Sequence, residues 1–207
     1  IVKDRPDTAW PTYRYAPDRR GSTPMPVSKE LKLAWSVPLG GDLTALTVAE
    51  GKVFAASPEN HEVYALDAIT GEEAWRVTVG GAVDSPPTIY KGVVLFGSRD
   101  GYAYALRASD GALVWKFHAA EHNEQMVFFD DLESVWPLHG SVLVDRDTAT
   151  VVAGRSLNSD NGLTFYQLNP LTGELLFKRH FFTDGGNKRT DILSSSGDHI
   201  HMRASMI

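Results

Sequence analysis

Near-continuous apolar runs punctuate the chain: VYAL (63–66), VVLFG (93–97) and SVLV (141–144). Strands covered on both faces read this way. A second kind of run follows a turn glycine and alternates instead, as in Trp75-Arg76-Val77-Thr78-Val79 and Trp115-Lys116-Phe117-His118. That pattern predicts an outer strand half in water, where charge also discourages pairing along the free edge. Phe177-Lys178-Arg179-His180-Phe181 keeps the charges but alternates less cleanly. Ahead of each apolar run lies another, split from it by a turn: LTVAEGKVFAAS (46–57), PTIYKGVVLFGS (87–98), SVLVDRDTATVVAG (141–154) and DILSSSGDHIHMR (191–203). Each full unit therefore predicts four short strands joined by tight turns. Glycine tolerates the positive φ of such turns, and aspartate bonds its own backbone there.

The units repeat. ALDAITGEEAW (65–75) returns forty residues on as ALRASDGALVW (105–115), and Tyr64-x-Leu66 is matched by Tyr104-x-Leu106 and Tyr166-x-Leu168. Each copy leads to a turn glycine (Gly71, Gly111, Gly173) and then to a large aromatic (Trp75, Trp115, Phe177). Trp35, in LAWSVPL, stands forty residues before Trp75. A period of about 40 residues with four strands is one blade of a β-propeller, which typically closes with about 4–8 blades. The predicted fold is all-β: a partial ring of four-stranded antiparallel blades, three complete and parts of two more. The expected division is a leader with an outer closing strand near 32–38 (1–43), then blades at 44–84, 85–136 and 137–189 and the start of a fourth at 190–207. The second blade carries an insertion at 119–136. On this reading the chain is the N-terminal part of a longer protein, with closure by oligomerisation as the alternative.

At these residues the chain resembles the PQQ-like, quinoprotein-type propeller repeat, whose tryptophan-docking motif is Ala-x-Asp-x-x-Thr-Gly-x-x-x-Trp. Ala65, Asp67, Thr70, Gly71 and Trp75 match every fixed position. The second copy keeps Ala105, Gly111 and Trp115 with Arg107 and Asp110 as departures, and the third keeps Thr172 and Gly173 with Asn169 and Phe177. The resemblance implies structural docking roles for Trp35, Asp67, Thr70, Gly71, Trp75, Gly111, Trp115, Gly173 and Phe177. It also likens WPTYRYAPDRRGSTP (10–24) to the leader before a first blade, and it implies export to the periplasm or beyond. Relatives include pyrroloquinoline quinone enzymes that use calcium and a disulfide between adjacent cysteines, and non-enzymatic scaffolds. This chain has no cysteine. The leading expectation is a non-catalytic scaffold without cofactor, binding protein partners, a ligand or the remaining blades of its ring. The alternatives are a fragment of a quinone- and calcium-dependent dehydrogenase, or a sensor of a small ligand in the channel.

Composition narrows the partners. A net charge of −6 and pI near 5.6 give no basic face for nucleic acid. No run of about 18 apolar residues predicts a membrane span. Phosphate loops, nucleophile elbows and zinc-helix motifs are absent.

Candidate chemistry therefore sits where the period breaks. The insertion, AAEHNEQMVFFDDLESVWPLHG (119–140), supplies Asp130, Asp131, Glu133, Trp136 and His139. Extra residues in a compact repeat are often functional, and oxygen ligands in number suit a hard cation. The competing expectation is a solvated loop pinned by its apolar residues. GRSLNSDNG (154–162) adds Arg155, which can meet an anion. His199 and His201, two apart in a strand, share a face but need further ligands to hold a metal.

Overall fold

The computed structural model describes residues 9–182 and 192–202. The ends of the leader (1–8), of the third unit (183–189) and of the fourth (190–191, 203–207) lie outside the described residues. All assigned regular structure is β. The first sheet holds β1 (Thr47–Ala49), β2 (Lys52–Ser57), β3 (Glu62–Asp67) and β4 (Glu73–Thr78). The second holds β5 (Thr88–Tyr90), β6 (Val93–Gly97), β7 (Tyr102–Arg107) and β8 (Leu113–His118). A hairpin, β9 (Gln125–Phe128) and β10 (Asp131–Ser134), follows. The third sheet holds β11 (Leu143–Asp145), β12 (Thr148–Ala153), β13 (Leu163–Leu168) and β14 (Leu175–Phe181). β15 (Leu193–Ser196) and β16 (His199–Met202) pair as the fourth. Every sheet is an antiparallel meander in chain order. The chain is a partial β-propeller.

The core lies between blades, which explains the continuous apolar runs. On β6, Val94 and Phe96 pack with Phe54, Val63 and Trp75 of the first sheet. Val93 and Leu95 of the same strand pack with Val142, Val151 and Leu168 of the third. A strand alternates its side chains between two faces, and both faces of β6 are buried.

The turn between third and fourth strands is built the same way each time. Asp67 Oδ1 accepts the Ile69 and Thr70 amides, and Thr70 Oγ1 accepts that of Glu72. Asn169 and Thr172 repeat these bonds. The second copy has Arg107 where the acceptor should be, yet the turn holds. Arg107 Nε donates to Asp110 Oδ1, and that oxygen accepts the Ala112 amide in the role of the threonine hydroxyl. Asp110 thus takes the threonine's place and pairs with the Arg107 charge. Each turn carries the same register shift, at Ala65/Leu66, Ala105/Leu106 and Gln167/Leu168.

The tryptophans reach from one blade to the next. Trp75 is 7% exposed, its Nε1 donates to Ala108 O at 3.0 Å, and its ring lies over Gly111. A Cβ at Gly111, where φ is +74°, would lie 2.9 Å from the ring. Trp115 stands over Gly173 and donates to Pro170 O, and Trp35 stands over Gly71 and donates to Ala68 O. Phe177 is 46% exposed and rests against Phe165 of its own sheet. The strand expected near 32–38 does not form: no described segment pairs with it, and a strand needs a neighbour to take its backbone bonds. Trp35 keeps its place over Gly71 without one.

The leader does more than precede the first blade. Trp10 pairs with Val48 of β1, Pro11 O accepts the Ile89 amide of β5, and Pro17 O accepts the Ser195 amide of β15. Arg19, 6% exposed, donates to Leu193 O, Thr12 Oγ1 and Tyr13 O. Burial pushes its pKa down to about 10. Residues 10–19 thus cross the innermost strands of three blades. Thr88 Oγ1 adds a bond to Val142 O between the second and third.

Candidate functional site at the mouth of the channel

A cavity of about 380 Å³ opens where the chain enters the innermost strands. Thr44 and Ala45 precede β1, Asp84 to Pro86 precede β5, His139 and Ser141 precede β11, and Ile192 precedes β15. Tyr13 of the leader and Arg99 of the β6–β7 turn complete the lining. Asp84 and His139 each stand four residues ahead of the first residue of their inner strand (Thr88 and Leu143). Equivalent positions in adjacent blades face the same axis, and the two side chains meet.

A charged network underlies this wall. Arg99 grips Asp84 with Nε and Nη2, both at 2.8 Å. His139 Nδ1 is 2.8 Å from Asp84 Oδ2. With Asp84 ionised, that contact requires the proton on Nδ1, which leaves Nε2 of a neutral ring as an acceptor. Ser85 Oγ donates to His139 O at 2.6 Å and fixes the histidine from the backbone side. Burial alone pushes the Asp84 carboxyl up, but the bonds from His139 and Arg99 outweigh it and hold the group below its usual range. The bond to Asp84 raises the Arg99 pKa against the opposing effect of burial.

Behind this pair lies Glu133, 1% exposed. Its Oε1 accepts from Arg155 Nη2, and its Oε2 lies 3.4 Å from Arg99 Nη1. Arg155 also donates to Ser134 O, and its guanidinium lies 4.6 Å from the centre of the Phe128 ring. Trp136, 7% exposed, donates from Nε1 to Asp160 O at 2.5 Å. The insertion is therefore a hairpin clasped at its base to the second and third blades, not a freely solvated loop. Its tip stays exposed, with Phe129 at 86% and Val127 at 71%.

Of the candidate residues, Glu133, His139 and Arg155 are joined through Arg99 and Asp84, while Trp136 packs in the interblade core and bonds to Asp160 O. The anion that Arg155 meets is Glu133. Asp130 is exposed at the hairpin turn, and Asp131 stands 3.9 Å from His61 Nε2; neither joins the network. Asp84 and Arg99, which anchor it, escaped the sequence reading. Aligning the repeats on their inner strands, rather than on Tyr-x-Leu, puts Asp84 level with His139.

The network at the channel mouth is not built as a calcium site. Both carboxylates of the network are held by arginines, and among the described residues no three or more His, Asp or Glu side chains are grouped to hold a metal ion. His199 and His201 share a face of β16 with rings 6.3 Å apart and no further ligand among those residues. No described helix is long and apolar enough to cross a membrane.

Comparison with known proteins agrees with this architecture. The chain is 40% identical over 152 residues to outer membrane protein assembly factor BamB of Moranella endobia (strain PCIT), covering 72% of this chain and 33% of that protein. It is 27% identical over 164 residues to quinoprotein alcohol dehydrogenase PedH of Pseudomonas putida, covering 73% and 26%. The chain thus spans a third or less of the length of these relatives. Quinohemoprotein alcohol dehydrogenase ADHIIG of Pseudomonas putida HK5 superposes with a TM-score of 0.66 at 19% identity over 83% of this chain and 26% of that one, a likeness of fold. A family model, PQQ_2, described as outer membrane protein assembly factor BamB, matches residues 29–195, and with the repeated blades it shows that the chain belongs to that family.

Proposed function

We propose that this chain is part of a non-catalytic PQQ-like propeller scaffold in an exported, periplasmic or extracellular protein, binding protein partners and a small ligand. The observation that carries the reading is the mutual pairing of Asp84, Arg99, Glu133 and Arg155 at the channel mouth. Charges so paired shape a wall; they do not offer a metal its oxygen ligands. Two features supply binding surfaces: the cavity itself, and the hairpin tip, which holds Val127 and Phe129 in water on a base fixed by Glu133. Exposed apolar side chains on an anchored element suit a protein partner. The interblade contacts of Trp35, Trp75 and Trp115 are, on this reading, the docking interactions that hold the scaffold rigid. The likeness to the assembly factors supports the same conclusion.

The relatives that oxidise alcohols define the competing activity and the test. Pyrroloquinoline quinone is added to the protein with and without calcium, and tryptophan fluorescence and dye-linked alcohol oxidation are followed. A scaffold gives neither saturable quenching nor turnover. Calcium-dependent turnover overturns the reading.

A further inference from the structure

We propose that the cavity at the channel mouth binds a neutral, hydroxyl-rich ligand of saccharide size. The inference rests on the binding-scaffold reading and names the ligand class of its site. Size is the first ground. At about 380 Å³ the cavity falls within the usual range of small-molecule sites, roughly 300–1,000 Å³.

Charge is the second. Asp84 is held by both forks of Arg99, and Glu133 lies between Arg99 and Arg155. In the cavity wall the Asp84 and Arg99 charges cancel, and behind it the Glu133 and Arg155 charges do the same. A charged ligand would have to break one of these pairs and leave its partner buried, which is costly. A neutral ligand leaves them intact.

The unused hydrogen-bonding groups are the third. Ser141 is 4% exposed, its Oγ has no partner, and it lines the cavity. A buried hydroxyl without a partner costs free energy comparable to a lost hydrogen bond, so a ligand that reaches it recovers that cost. His139 is tied by Nδ1 to Asp84, which leaves Nε2 as the ring nitrogen open to a ligand, an acceptor whenever the ring is neutral. Asp84 takes three bonds, two from Arg99 and one from His139, which leaves about one of a carboxylate's four lone-pair sites, on Oδ1, for a ligand. A serine hydroxyl that gives and takes, an imidazole that takes, and a carboxylate that takes are the complement of a row of hydroxyls. Tyr13, Pro86 and Ile192 offer apolar surface to the C–H face of a sugar ring.

The test is isothermal titration calorimetry with saturation-transfer NMR on this chain. The probes are glucose, maltose, cellobiose and N,N′-diacetylchitobiose, with galacturonate and glucosamine as charged counterparts. The expected result is saturable binding of a neutral sugar and weaker binding of the charged ones. Ser141→Ala and His139→Gln should each weaken it about tenfold or more, the size of one lost hydrogen bond. Asp130→Asn, outside the network, should leave it unchanged, and thermal unfolding identifies any variant that fails to fold. The proposal is overturned if no neutral probe saturates up to about 50 mM, far weaker than useful recognition. It is equally overturned if a charged probe binds best, or if both folded variants bind as the parent does. Quinone turnover in the earlier assay removes the scaffold reading; failure of every sugar without turnover removes only this one.

Discussion

Gly111→Ala isolates the contact by which one blade holds the next. Its φ is +74°, and a Cβ would lie 2.9 and 3.0 Å from two Trp75 ring carbons. Gly92 is the control, with φ +83° and nothing within 4 Å of the added Cβ. Alanine in that left-handed region costs about 1–2 kcal/mol, partly offset by the lost freedom of the unfolded chain, so Gly92→Ala should cost about 1 kcal/mol. Gly111→Ala carries the same conformational cost and must also move a ring that is 7% exposed and hydrogen-bonded to Ala108 O. Overpacking of this kind adds about 1–3 kcal/mol, so a total near 3 kcal/mol is expected. Trp75→Ala alone should cost about 3–5 kcal/mol, the range for a large buried aromatic. The cycle is the decisive step. In the Trp75→Ala background the clash is gone, and Gly111→Ala should fall to the Gly92 value, a coupling of about 2 kcal/mol between the two sites. Urea unfolding followed by far-UV circular dichroism on the four proteins and the Gly92 control measures it. Strict additivity, or a Trp75→Ala cost under about 1 kcal/mol, would refute the reasoning, because the ring would then not be what holds the blades.

Glu133→Gln keeps the shape but removes the charge between Arg99 and Arg155, and urea unfolding should show a loss of about 3 kcal/mol, toward the cost of breaking a buried ion pair. Asp84 has a carboxyl pKa below its ordinary value of 3.8 in the folded chain. Its contribution to stability is therefore fully present above that value and is lost as pH falls through the lower folded one; the gap between parent and Asp84→Asn should be widest near neutrality and close in acid. Arg19→Met strips donors from Leu193 O, Thr12 Oγ1 and Tyr13 O, and should lower stability by about 3 kcal/mol in the same assay.

The repeat made the fold legible because each blade solves the same packing problem with the same residue types. The buried β6 run is apolar throughout since both its faces meet a neighbour, and Trp75 needs a glycine across from it because only a bare backbone lets a ring so close. Arg107 and Asp110 both depart from the motif. In the fold Asp110 both pairs with the Arg107 charge and accepts the Ala112 amide in place of the threonine hydroxyl. The site was half legible. His139 and Arg155 stood out because they fall in irregular segments, while Asp84 lay hidden in regular sequence, where nothing local separates a wall carboxylate from a turn residue. The hairpin read as a loop since its strands are short and its two buried members, Glu133 and Ser134, are polar. Burial there depends on Arg99 and Arg155, distant in sequence, which no local pattern reports. The leader's crossing of three blades was invisible for the same reason: its bonds, mostly backbone to backbone with Arg19 added, reach residues distant in sequence.

The irregular segments converge. The leader contributes Tyr13, the insertion contributes Glu133 and His139, and the lengthened β12–β13 loop contributes Arg155, all at the end of the ring where the chain enters its innermost strands. The charged groups belong to neither interblade core: repeat residues fill the first, and Trp136 and Leu138 of the insertion join repeat residues in the second. Burying Glu133 among arginines costs desolvation that well-packed apolar side chains would avoid. What such a network provides is position: it fixes the base of the hairpin, the Arg99 fork and, through Asp84, the tautomer and angle of His139. Stability can be had more cheaply from the repeat, so the reason to hold these groups in place lies in what the channel mouth has to recognise.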